Sequence, residues 1–277
     1  MADFSDQVVF ISGGARGQGR AHAVAFAEQG ADIVVCDHCE DNPAAPYSMA
    51  SRDDLDETVA LVEKTGRSCI AAVADVRDPA AVDALVADAL DRFGRIDVHV
   101  ANAGVCGNTS LQHTSNEAWS QVIDVNLTGV FNTIKAVSPA MIQQRSGRIV
   151  GVASMMGRSS SPNNVAYTTS KWGVIGLVKS CAQDLAPFGI TVNAVAPGNI
   201  ATDMAQNDTL YKLVRPDLEQ PTLEDVLPVM QMLHVQPVSY MEPDEVTGVI
   251  MFLASPAARH ITGSVIDINA GASARYQ

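Results

Sequence analysis

A chain of 277 residues with 47% hydrophobic side chains can build one large α/β domain or two small ones. Its net charge of −13 opposes attraction to a phosphate backbone, which excludes nucleic acid as an expected partner. The N-terminal MADFSDQVVF has neither the basic region nor the apolar stretch of a signal peptide, and no run of about 18 apolar residues occurs, so a cytoplasmic chain without a membrane partner is expected.

Short β-branched runs alternate with longer amphipathic segments from end to end, the pattern of a parallel sheet covered by helices. The first strand is predicted at Val8 to Ser12, followed by Gly13-x-x-x-Gly17-x-Gly19 and a helix carrying Ala21, Val24 and Phe26. Glycines in such a turn let backbone N–H groups and the helix N-terminus approach a pyrophosphate, whose charge the helix dipole favours. The next strand, Ile33 to Asp37, ends in a carboxylate twenty residues after Gly17. A carboxylate there can accept both ribose hydroxyls of an adenosine and repels a 2′-phosphate, which favours NAD. Arg16 argues for NADP, since a guanidinium in the turn can grip that phosphate; the charge nearest the 2′ position is expected to dominate.

Residues 38–52 interrupt the rhythm, because such connections usually run about 2 to 6 residues. A helix follows at Asp53, with Ser51 to Asp54 fitting a capping box. Further strands are expected at Cys69 to Asp75, Val98 to Ala101, Arg148 to Ala153, Thr191 to Ala196 and Val265 to Ile268. Thr114 to Glu117 fits a second capping box, and Pro79 and Pro243 fit first helical positions after Asp78 and Glu242. Residues 198–240, rich in Pro, Met and Leu without a strand pattern, read as a second functional loop.

Ser154 lies where the apolar run Ile149 to Ala153 ends, at the carboxyl end of a strand, where open α/β sheets place their ligands. Tyr167 and Lys171 stand four residues apart, on one helix face. A phenol near pKa 10 is a poor base at neutral pH, and an adjacent ammonium stabilises its phenolate, so Tyr167 can take a hydroxyl proton.

The five cysteines, Cys36, Cys39, Cys69, Cys106 and Cys181, form no even disulfide framework and are expected as free thiols. Cys36 and Cys39 spell C-x-x-C without the second pair a zinc site needs, and no metal site is predicted. His99, His113 and His234 are read as structural. Among the methionines, Met155 and Met204 are assigned to an adaptable substrate pocket, while Met156, Met230, Met232 and Met241 stay open between pocket and core.

In this order SGGARGQG (Ser12 to Gly19), Asp37, ADV (Ala74 to Val76), NAG (Asn102 to Gly104), Asn126, Ser154, YTTSK (Tyr167 to Lys171) and PGNIAT (Pro197 to Thr202) resemble the short-chain dehydrogenase/reductase family over nearly the whole chain. The resemblance implies a single Rossmann-like, doubly wound parallel sheet of about seven strands with helices on both faces. It assigns Gly13, Arg16, Gly17, Gln18, Gly19, Asp37, Pro197 and Gly198 to the cofactor, Asp75 and Val76 to its adenine, and Asn102, Ala103 and Gly104 to the cleft wall. It also implies that Ile200 and Thr202 hold the nicotinamide carboxamide. By the same resemblance Ser154 is expected to orient the substrate oxygen, Tyr167 to be acid and base, Lys171 to grip the nicotinamide ribose and lower the tyrosine pKa, and Asn126 to hold a proton-relay water. The family also implies a homotetramer. The segment after Asp37, with PYSMASRDDLDETVALVE, is similar to a narrower actinobacterial subgroup of carveol dehydrogenases or dehydrogenases coupled to the redox carrier mycofactocin. The expected activity is NAD-linked oxidation of a small lipophilic secondary alcohol. An exchangeable NAD(P) ketoreductase on an acyl-carrier or sugar ketone is the second reading, and an NAD sensor without catalysis the third.

Overall fold

The computed structural model describes residues 3–275. One sheet holds seven strands: β1 (Val8–Ser12), β2 (Asp32–Asp37), β3 (Cys69–Val73), β4 (Val98–Ala101), β5 (Gly147–Val152), β6 (Ile190–Pro197) and β7 (Val265–Ile268). Their order is β3-β2-β1-β4-β5-β6-β7, and every pairing is parallel. The strands stand where the apolar runs placed them, except that β3 stops at Val73, two residues short of Asp75.

Residues two apart in a strand share a face, and β1 shows the consequence. Val9 and Ile11 pack with Phe26 of α1 (Gly17–Glu28), Leu55 of α2 (Arg52–Glu63) and Val246 and Ile250 of α9 (Pro243–Ala254). Val8 and Phe10 face the opposite layer, with Leu85 of α3 (Pro79–Phe93), Ile134 of α5 (Gly129–Gln144) and Val174 of α6 (Val165–Leu185). The sheet is therefore buried on both sides, and the Rossmann-like, doubly wound architecture is confirmed.

Helix starts follow local chemistry. Ser51 and Asp54 close the expected capping box on α2, and Asp78 caps α3 with Pro79 in its first turn. The second expected box needs correction: the cap of α4 (Asn116–Ile123) is Ser115, whose hydroxyl accepts the Ala118 N–H, one residue later than Thr114. Between α4 and α5 the chain makes one π turn, Asp124–Thr128, which contains Asn126; such turns recur at functional sites. Two short helices, α7 (Asp208–Val214) and α8 (Leu223–Met232), lie in the segment read as a loop. No helix among the described residues is long and apolar enough to cross a membrane.

Candidate active site

Strand order reverses between β1 and β4, so the chain leaving each turns away and a crevice opens at their carboxyl ends. The turn from β1 into α1 needs glycine. Gly13 has φ +70°, and a Cβ there would stand 2.8 Å from the Ala103 Cα. A Cβ on Gly19 would stand 1.9 Å from the Gly13 carbonyl oxygen. Asn102 ties the turn down, its amide donating to the Ser12 and Gly13 carbonyl oxygens at 3.1 and 3.0 Å. No side chain caps α1, which leaves its first N–H groups for an anion.

This cleft is lined by Gly13, Arg16, Gly17, Gln18 and Gly19, by Asp37, Asp75 and Val76, and by Asn102, Ala103 and Gly104. Asp37 accepts the Ala15 and His38 N–H groups at 3.1 and 2.9 Å. Burial pushes its carboxyl above the usual range, against the pull of those N–H groups and Arg16. Arg16 does not stand free to seize a 2′-phosphate: its guanidinium pairs with Asp203 at 2.7 Å and donates to the Ser48 carbonyl. An uncapped helix start, a glycine cradle and a strand-end carboxylate fit a dinucleotide without a 2′-phosphate.

Residues 38–50 supply another wall, through His38, Asn42, Tyr47, Met49 and Ala50. Tyr47 accepts the Cys106 N–H at 3.1 Å, and the Thr209 hydroxyl donates to the Pro46 carbonyl at 3.3 Å. Ala44 and Met49, like Tyr167, pack against Val105, Val122 and Ala166.

A second cavity of about 410 Å³ continues from the cleft. Ser154, Tyr167 and Lys171 line it, as do Pro197, Gly198, Ile200, Thr202, Met155 and Met204. Tyr167 sits in the first turn of α6, and the Lys171 Nζ lies 5.6 Å from its ring centroid, as the four-residue spacing requires. That Nζ donates to the Val152 carbonyl at 2.8 Å. Burial lowers the Lys171 pKa to about 8 and pushes that of Tyr167 up, with the Ser154 hydroxyl working against the latter rise.

Asn126 stands behind the cleft wall. It is fully buried and lines neither space; its Nδ2 donates to the Val105 carbonyl and the Ser170 hydroxyl at 2.9 and 3.0 Å, while its Oδ1 accepts the Val105 N–H at 2.8 Å. Both amide hydrogens are thereby spent on protein, and the side chain braces the segment after Gly104 against α6.

Of the open methionines, Met156 and Met230 join the cavity, Met232 is exposed and Met241 belongs to the core. Missed from sequence were Tyr47, Cys106, Asn108, Asn164, Leu210, Leu213 and Leu233. The signal for the leucines was the Leu- and Met-rich composition of residues 198–240, and for Tyr47 its place in the interruption at residues 38–52; the others carried none. His99 stacks on Phe10 at 4.7 Å and is structural, and all five cysteines are free. Among the described residues no group of three or more His, Cys, Asp or Glu could hold a metal.

A parallel sheet with this crevice, and a Tyr–Lys pair beside a strand-end serine, define a nucleotide-linked oxidoreductase. The family model described as short chain dehydrogenase matches residues 7–211. The (-)-trans-carveol dehydrogenase of Rhodococcus erythropolis is 39% identical over 273 residues, covering 98% of this chain and 99% of the relative. A 3-oxoacyl-[acyl-carrier-protein] reductase of Synechocystis is 39% identical over 272 residues, with 98% of each covered. The crystal structure of carveol dehydrogenase from Mycobacterium avium in complex with NAD superposes with a TM-score of 0.96 at 40% identity, covering 98% of this chain and 99% of that one. The chain belongs to the short-chain dehydrogenase/reductase family.

Proposed function

We propose that this protein transfers a hydride between NAD and a small lipophilic secondary alcohol or its ketone, of carveol-like or terpenoid type. One observation carries the reading: Ser154, Tyr167 and Lys171 converge on an apolar cavity continuous with the dinucleotide cleft. NAD, when bound, supplies the hydride acceptor. The Ser154 hydroxyl holds the substrate oxygen, Tyr167 exchanges its proton, and the Lys171 ammonium favours the phenolate that does so. Met155, Met156, Met204, Leu210, Leu213 and Met230 offer a flexible apolar wall to the hydrocarbon. The carveol dehydrogenases of Rhodococcus and Mycobacterium support this substrate class.

Residues 38–51 act in this reading as a cover over the nucleotide. Their bonds to Arg16, Cys106 and Thr209 support it, since they fix the segment in place as a wall of the cleft. Retained NAD needs an external electron acceptor, a role for a carrier such as mycofactocin. Exposed Trp119, Phe131 and Trp172 on α4, α5 and α6 support a homotetramer built through these helices. The equal identity to the Synechocystis reductase favours the second reading, an exchangeable ketoreductase.

Denaturing the purified protein and identifying the released nucleotide separates the two. NAD near one per chain is expected, with slow alcohol oxidation by free NAD unless an artificial acceptor is added. Nucleotide-free protein that turns over rapidly with added NADP and a ketoacyl substrate contradicts the reading.

A further inference from the structure

Gln18 is the second residue of α1 and lines both spaces. So do Asn102, Gly104, Thr202 and Met204, and these five residues form the neck where the dinucleotide cleft passes into the substrate cavity. Asp37 and Asp75 line the cleft alone, and Tyr167 and Lys171 the cavity alone. A dinucleotide with its ribose at Asp37 and its redox ring at Tyr167 therefore threads the neck, and its nicotinamide half meets Gln18.

The Gln18 Oε1 is shut off from solvent and has no hydrogen-bond partner among the described residues. Its polar neighbours are already engaged. The Asn102 amide donates to Ser12 and Gly13, the Thr202 hydroxyl to the Ile200 carbonyl at 3.4 Å, and Arg16 to Asp203 and Ser48. A buried amide oxygen without a donor is costly, and native structures keep few. A ligand that brings the donor removes the cost.

The nucleotide's own chemistry narrows the donor. Pyrophosphate oxygens only accept, so they would repel a carbonyl oxygen; the nicotinamide carboxamide presents two N–H hydrogens at the end that enters the neck. We propose that the Gln18 side chain is a direct ligand of the nicotinamide carboxamide, its Oε1 accepting one of those N–H groups and so fixing the rotation of the ring facing Tyr167. Gln18 is thus a positioning residue for hydride transfer as well as part of the glycine turn. This rests on a nicotinamide dinucleotide being the cofactor.

The test compares NAD with ADP-ribose, which shares every part of NAD except the nicotinamide. Affinities of both are measured by calorimetry on nucleotide-free wild type, Gln18→Met and Gln18→Glu, with thermal unfolding of the free proteins as the control for folding. Loss of one hydrogen bond predicts that Gln18→Met binds NAD about fivefold to tenfold more weakly while ADP-ribose stays within about twofold. Gln18→Glu keeps the acceptor, so its NAD to ADP-ribose affinity ratio should stay near wild type even if its charge weakens both. Equal losses for the two nucleotides in Gln18→Met would put the amide on the phosphates and overturn the proposal, as would unchanged NAD affinity. A wild type that binds ADP-ribose but gains nothing from the nicotinamide also overturns it, leaving the cleft intact. A wild type that binds neither overturns the cofactor reading itself, and the proposal with it.

Discussion

Burial sets the protonation of single residues away from the site as well as within it. His22 on α1 is fully enclosed, its Nδ1 bonded to the Thr247 hydroxyl of α9 at 2.7 Å, and burial lowers its pKa from 6.5 to about 3. His99 on β4 lies under Phe10, and burial takes its pKa from 6.5 to about 4. Both folded values lie below the unfolded one, so the unfolded chain binds more protons once the pH drops beneath about 6.5. Their stabilisation is complete above that value and fades as pH falls toward 4 and then 3. Unfolding free energy from urea melts should fall by about 2 kcal/mol per histidine between pH 7 and pH 5. In His99→Gln that slope should shrink by about half; a variant as pH-sensitive as wild type would remove His99 from this account. At this scale the sequence was legible where one residue type does one job. Asp37 stands at the end of β2 and Tyr167 beside Lys171, because a strand end and a helical turn follow from local spacing. The exhausted amide of Asn126 was not legible: its partners Val105 and Ser170 meet it only through the tertiary path of the chain.

Elements tell a similar story with one large exception. Apolar runs located all seven strands to within two residues because a sheet covered on both faces demands near-continuous β-branched sequence. Caps were legible to within one residue, the ambiguity at Thr114 arising because Ser115 offers the same hydroxyl chemistry. The path of residues 38–51 was not readable beyond its starting point, since a loop without periodicity encodes no direction. What holds it is scattered: Arg16 on the Ser48 carbonyl, Cys106 on Tyr47, Thr209 on Pro46. If the segment covers the nucleotide, shortening it between Glu40 and Ser51 should speed NAD release by about tenfold or more in a stopped-flow displacement assay, since affinity differences of this kind appear in the off-rate. Unchanged release would reduce the segment to a wall that does not gate.

For the whole molecule, the reversal of strand order between β1 and β4 puts the glycine turn and the β4 loop on opposite banks of one crevice. The extended β5 and β6 then carry Ser154 and residues 197–202 to the far end, where α6 brings Tyr167 and Lys171. The proposed nucleotide cleft and substrate cavity are thus joined by topology, and the central claim is that a hydride crosses that junction while Tyr167 moves the proton. The most direct test loads the protein with NAD, mixes it with a secondary alcohol in a stopped-flow instrument, and follows reduced nicotinamide in a single turnover. Wild type should show a burst of reduced cofactor, and Tyr167→Phe should slow it by about 10² or more with NAD affinity nearly unchanged. A burst of equal rate in Tyr167→Phe, or none in wild type across a panel of lipophilic secondary alcohols, would contradict the account.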